Sequence, residues 1–228
     1  FGWLSTDNEA CCIIWFRVRL AVSVAKLFEE FGLEYEGAFK WNQTLNANYN
    51  GVYLLALTSN PNNEQPHPYS FEICDDTFFY WISQAKDLQI AGEKVRHKKQ
   101  VEDYLMQFWN PNENILYIGE SSSLTNPLQK RIKQFYTHKV GQKGPHTGGY
   151  WLKLLSCLNN VSVYYAQAQN PREVEFKMLM KFVELSTGKS FYEIENFANH
   201  LPFANVKIDV LKKHSLTKYT NRNKRKNT

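Results

Sequence analysis

Cysteine is scarce in this chain of 228 residues, and the four present, Cys11, Cys12, Cys74 and Cys157, form no CxxC pair and no spacing suited to structural zinc. That excludes a disulfide framework or a zinc ribbon as the basis of the fold, and makes a reducing, intracellular, cytoplasmic setting the expectation. Long apolar runs are also missing. The most apolar stretch, residues 11–24, is broken by Arg17 and Arg19, and no basic segment precedes a signal-like run. Neither a membrane span nor a secretory signal is expected. The sequence opens on Phe1 rather than Met, which fits a piece of a longer chain whose upstream targeting elements would not be visible. No repeat of solenoid length and no coiled-coil register is found.

Acidic residues are nearly absent from one end only. Residues 207–228 hold eight Lys or Arg against one Asp, a net charge of +7, whereas the rest of the chain carries 19 basic and 21 acidic residues, a net of −2. The formal charge of +5 therefore describes a basic tail and not a basic fold. A basic, Asn-rich terminus is either a solvated end or a phosphate-binding arm.

What the chain does have is apolar patterning enough for a substantial core, with 43% apolar residues. Residues 13–31 carry apolar side chains at helical intervals and stop at Gly32, so residues 1–50 read as a helical N-terminal extension. Residues 51–57, GVYLLAL, lie between Asn-rich and Pro-Asn turn signals and read as a buried strand. Residues 58–114 read as an insertion, a Pro/Asn/His-rich loop followed by two helical pieces. Residues 115–119 then read as a second strand. Asn126 followed by Pro127 opens a helix to about His138, with Asn126 as the expected N-cap. A glycine-rich connection (139–149) and a short helical piece lead to an alternating strand at 161–168 and a helix opened by Asn170 and Pro171. The order predicts an α+β fold with a small central β-sheet flanked by helices.

GVY at 51–53, YIGES at 117–121, a following helix with Leu128 and Arg131, EFKMLMKF at 175–182, and Asn205 after Pro202 together resemble the GIY-YIG nuclease family, restriction endonucleases in particular. The resemblance covers roughly 100 residues in two blocks. It implies a core over 51–206, interrupted by the 58–114 insertion. It also implies that Tyr53 or Tyr117 helps activate water, that Arg131 holds the scissile phosphate through paired guanidinium hydrogen bonds, that Glu175 binds Mg²⁺ or Mn²⁺, and that Asn205 shapes the site. Glu173 is the rival carboxylate. Tyrosine ionises near 10, so phenolate formation would require nearby cations, for which Lys130, Arg131 and Lys133 are candidates. His138 and His146 are candidate assistants to the base. Phe135, four residues after Arg131, stands where the family often has His or Tyr.

The same resemblance implies double-stranded DNA as partner. Lys130, Lys133, Lys139 and Lys143, with Arg96, Lys98 and Lys99 on the insertion, are the expected nucleic-acid contacts. A palindromic target would require a two-fold homodimer or sequential nicking. The departure from compact members is the gap of more than sixty residues between Tyr53 and Tyr117, an elaboration that loop-closure entropy tolerates. Competing expectations are a catalytically silent nucleic-acid-binding module on the same fold, a repair or homing nuclease, and an aromatic-rich interaction protein.

Overall fold

The structure, a computed structural model, describes residues 20–85, 88–90, 93–140 and 150–213, with Tyr150 and Phe191 described in backbone only. Its centre is a four-stranded antiparallel sheet formed by β1 (Tyr35–Lys40), β2 (Gly51–Ala56), β5 (Ile115–Ser121) and β6 (Ser162–Gln167), in the order β1-β6-β2-β5. Strand β2 is the deepest. Every one of its residues is buried, which is why its sequence is a continuous apolar run and not an alternating one.

The two sheet faces bury different clusters. One face contributes Tyr53, Leu55, Tyr117, Val163 and Tyr165 to a core shared with α4 (Leu128–Thr137) and α5 (Tyr150–Leu154). The other contributes Val52, Leu54, Ile118 and Tyr164 to a core under α1 (Val24–Glu29) and α6 (Pro171–Thr187). These make the α+β architecture: six α-helices among the described residues, set around one antiparallel sheet. Among the described residues no helix is long and apolar enough to cross a membrane.

The N-terminal segment departs from the sequence expectation. Helix α1 begins only at Val24, where the Ser23 hydroxyl accepts the Lys26 N–H as an N-cap, and the part of the expected helix before residue 20 lies outside the described residues. Residues 35–40, counted within a helical extension, instead form an edge strand of the central sheet. The insertion contains α2 (Asp75–Gln84) and α3 (Lys98–Met106), with a two-residue hairpin of β3 (Gln89–Ile90) and β4 (Glu93–Lys94) between them. It does not project. Phe78, Trp81, Val101 and Leu105 are buried in the same core as the sheet, and Trp81 meets Trp151 of α5 edge to face at 5.9 Å.

Helix α4 also differs at its ends. Pro127, not Asn126, is the N-cap, and the orphan N–H groups of the first turn donate to the chain just before β2: Leu128 N–H to the Tyr49 carbonyl at 2.9 Å and Gln129 N–H to that of Ala47 at 3.0 Å. The helix stops at Thr137, with His138 as an extended C-cap. The C-terminal part of the described chain forms a small hairpin, β7 (Lys207–Ile208) and β8 (Leu211–Lys212).

Candidate functional site

The stretches 51–53 and 117–119, sixty-odd residues apart, are neighbours in the sheet: Gly51 pairs with Ser121, Tyr53 with Gly119, and Leu55 with Tyr117. Their glycines are required by contact. A Cβ on Gly119 would lie 2.6 Å from ring atoms of both Tyr117 and Tyr53, so the two tyrosine rings rest on the bare backbone there. A Cβ on Gly51 would lie 2.0 Å from the Ala166 carbonyl oxygen and 2.9 Å from Leu128 of α4, so glycine permits β6 and α4 to close on β2.

The two tyrosines are not equivalent. Tyr53 is fully buried, and among the described residues its hydroxyl has no hydrogen-bond partner. Tyr117 lines an open cleft of about 1050 Å³, while its ring stacks on Phe135 of α4 with centroids 5.4 Å apart. The ring centroids of Tyr53 and Tyr117 are 5.8 Å apart and their hydroxyls perturb one another, although no hydrogen bond of ordinary length joins them. Phe135, at the position where a His or Tyr was sought, serves as the wall against which Tyr117 is held.

Glu175 sits in the second turn of α6 and lines the same cleft, with Met178, Leu179 and Phe182 behind it in the core. Asn205 closes the floor: its side-chain oxygen accepts the Ile118 N–H at 2.9 Å and its amide donates to the Ile118 carbonyl at 2.8 Å. Both polar ends are thereby spent on the backbone between Tyr117 and Gly119. Asn205 is a clamp on the signature strand.

Charge links these groups. Burial pushes the Tyr117 phenol up to about 12; the charge of Glu175 acts in the same direction and Arg131 acts against it. Burial likewise raises the Tyr53 phenol well above its ordinary value, with Arg131 again lowering and Glu175 raising it. Desolvation exceeds the help of the cation at both sites, so each phenol stays protonated near neutral pH. Glu175 is raised from its ordinary 4.5 to about 7, first by burial and then by the like charge of Glu120, while Arg131, Arg172 and Lys207 oppose this. Arg131 and Glu175 thus act by charge on both tyrosines, while of the expected site residues Tyr117, Glu175 and Asn205 line the cleft and Tyr53 and Arg131 do not.

Glu120 was not singled out from the sequence. It follows Gly119 directly, on the sheet face toward α6, and one of its carboxylate oxygens is buried without a partner among the described residues. Its signal was its place within YIGES, where a charged residue interrupts an otherwise buried strand. Arg172 and Lys207, both exposed and both lining the cleft, were also missed. Glu173, the rival carboxylate, is exposed on the cleft rim and paired with Lys177 at 2.7 Å.

Several expected contacts lie elsewhere. His138 ends α4 away from the cleft lining, and its carbonyl accepts a hydrogen bond from Lys153. The helix stops one residue short of it, so the two-turn offset from Arg131 does not carry its side chain along the expected face. Lys98 is occupied by Asp75 at 2.6 Å, Glu102 at 3.2 Å and the Ile73 carbonyl at 3.2 Å, which tie α3 to α2. Lys99 pairs with Asp103 at 2.8 Å, and neither they nor Arg96 line the cleft. On α4, Lys130 and Lys133 are exposed, with the Lys130 ammonium on the Thr125 carbonyl at 3.0 Å. Lys139 lies 5.8 Å from the centre of the Tyr80 ring. Lys143 and His146 fall outside the described residues.

No family model matches the chain, and neither the curated proteins nor the solved structures hold a match to it.

Proposed function

We propose that this chain is a divalent-metal-dependent endonuclease of the GIY-YIG type, hydrolysing phosphodiester bonds of double-stranded DNA in the manner of a small sequence-specific restriction enzyme. The observation that carries the reading is that Tyr117 and Glu175 line one cleft and both feel the charge of Arg131, on a sheet whose two glycine-bearing strands pair in register.

In this mechanism Arg131 donates to the non-bridging oxygens of the scissile phosphate and offsets charge that builds there as water attacks. Tyr117, buried but lining the cleft where Tyr53 does not, orients the attacking water through its hydroxyl oxygen. Tyr53 supports it from beneath and, being fully buried, does not touch substrate. The protonated state of both phenols assigns them to positioning. Asn205 holds the strand on which Tyr117 is mounted.

The acidic residues fit a hard divalent ion. Burial and the like charge of Glu120 oppose the ionisation of Glu175, and a buried Glu120 oxygen is unpartnered among the described residues. Among the described residues no three His, Cys, Asp or Glu gather into a metal-holding group, so Glu175, with Glu120 behind it, would hold Mg²⁺ or Mn²⁺ with water completing the shell. When bound, that ion supplies neutralisation of the phosphodiester and of the leaving oxygen.

The decisive experiment incubates the purified chain with a duplex DNA pool and Mg²⁺ or Mn²⁺. Cleavage is expected in the parent and a loss of at least about a hundredfold in Glu175→Ala and in Arg131→Ala. Parent-like cutting by both variants, with folding intact, would overturn the assignment. The elevated phenols favour one second reading, a catalytically silent nucleic-acid-binding module; duplex binding with no cleavage under either metal would select it.

A further inference from the structure

The cleft's rim continues into a feature that the nuclease reading leaves unused. Arg172, in the first turn of α6, and Lys207, in β7, both line the cleft and are both exposed. Lys207 is the cross-strand partner of Lys212 in β8, which is also exposed. Among the described residues none of the three is in an ion pair. The contrast with the insertion is direct, because Lys98 and Lys99 there are held by three carboxylates. The acidic group nearest in sequence, Glu173, is paired with Lys177, leaving the exposed Asp209 at the hairpin turn and Glu175 within the cleft as the acids beside this rim.

The hairpin is fixed to the body. Ile208 is buried under α6 with the second core, and the Lys213 N–H donates to the Val206 carbonyl at 2.9 Å. The Lys213 ammonium is buried and donates to the carbonyls of Leu201, Pro202 and Phe203 at 2.9, 3.1 and 3.3 Å, with the Phe108 ring 5.6 Å away. Lys207 and Lys212 are thus presented from an anchored platform. The sequence beyond it, 214–228, adds five Lys or Arg and no Asp or Glu.

We propose that Arg172, Lys207 and Lys212 form a phosphate track on the rim of the cleft, which holds the backbone of duplex DNA and leads it to Arg131. The proposal rests on the nuclease reading for its ligand. It assigns nonspecific affinity to this rim and denies it to the basic residues of the insertion. Fixed cations facing a cleft release condensed counterions when phosphates replace them, so each should register in the salt dependence of binding.

The test uses the full chain carrying Glu175→Gln, titrated by fluorescence anisotropy against a labelled 20-base-pair duplex at several salt concentrations. Adding R172Q, K207Q and K212Q is expected to weaken binding about 10- to 100-fold at 0.1 M salt, and to make the slope of log K against log salt shallower by about two to three, near 0.9 for each phosphate that is no longer neutralised. Adding K98Q and K99Q instead should leave both unchanged. All three substitutions of the track are at exposed positions, and an unchanged circular dichroism spectrum verifies the fold. Equal affinity and slope in the track variant would overturn the track while the nuclease reading stands. Loss of binding on K98Q and K99Q alone would do the same. Normal track behaviour with no cleavage by the parent supports the track and sinks the catalytic reading. No duplex binding by the parent at low salt overturns both.

Discussion

At the scale of single residues, the glycine between the two tyrosines makes the sharpest prediction. Gly119→Ala places a methyl 2.6 Å from both rings, so Tyr117 must leave its stack on Phe135 or Tyr53 must shift in a full core. Overpacking of this kind costs about 1–3 kcal/mol. Denaturant melts should register that loss, and near-ultraviolet circular dichroism should change because tyrosine packing is altered; a variant with the parent's spectrum and stability would contradict the contact. Arg131→Lys belongs at the same scale. Lysine keeps the charge but not the planar pair of donors, so DNA cleavage should fall about a hundredfold with no change in melting temperature.

Glu175 gives a pH dependence whose sign is fixed. Its carboxyl is raised from 4.5 to about 7, so the folded chain binds this proton more tightly than the unfolded chain does. The associated stability is complete below about 4.5 and is lost as pH rises through about 7. Because Glu175 is only half-buried, solvent screening reduces the effect to about 1 kcal/mol. Metal-free Glu175→Gln should therefore melt about 2–4 °C above the parent at pH 8 and match it at pH 4. Equal melting temperatures at both pH values would contradict the shift.

At the scale of elements, legibility in the sequence followed the strength of local signals. Strands β2 and β5 were evident because both are apolar and bounded by turn residues, and α6 because Pro171 opens it; the structure adds Gly188, at φ 68°, as its C-cap. Strand β1 was not. Its sequence, YEGAFK, is short, mostly exposed and lies at the sheet edge, so burial imposed no pattern on it. For the basic residues of the insertion, a count of charges does not show that Asp75, Glu102 and Asp103 stand beside Lys98 and Lys99. Glu120, Arg172 and Lys207 were under-read since their relation to Glu175 exists only after β5, α6 and β7 have packed. The clamp from Asn205 to β5 offers an element-level test. Asn205→Ala strips partners from the buried Ile118 N–H and carbonyl and should cost about 2–3 kcal/mol, with cleavage reduced in proportion to the mispositioning of Tyr117. Parent-like stability would show that the clamp is dispensable.

For the whole molecule, binding and folding are linked. On the proposed reading an ion held by Glu175 and Glu120 would bind the folded chain and not the unfolded one, so excess Mn²⁺ should raise the melting temperature according to its occupancy, with a stabilisation of about 2.7 kcal/mol at a hundredfold excess over Kd. The rise should vanish in Glu175→Gln. A metal-induced shift of equal size in that variant would place the ion elsewhere. The division of charge has a parallel meaning: a body with a net of −2 and a terminal segment with a net of +7 repel and attract the same polyanion, so orientation on DNA would be set at the border between them, where Lys207 stands.

The strand order has one more consequence. Strand β6 lies between β1 and β2 yet is the last of the four to be synthesised, and among the described residues β1 pairs with no other strand. A nascent chain that has emerged only as far as the insertion holds two strands with their shared neighbour still unmade. The sheet can close only after residue 167 has cleared the ribosome, so folding is a late event dominated by long-range pairing and is correspondingly slow. Until then, the unpaired backbone edges of β1 and β2 are exposed to chaperones and to other nascent chains.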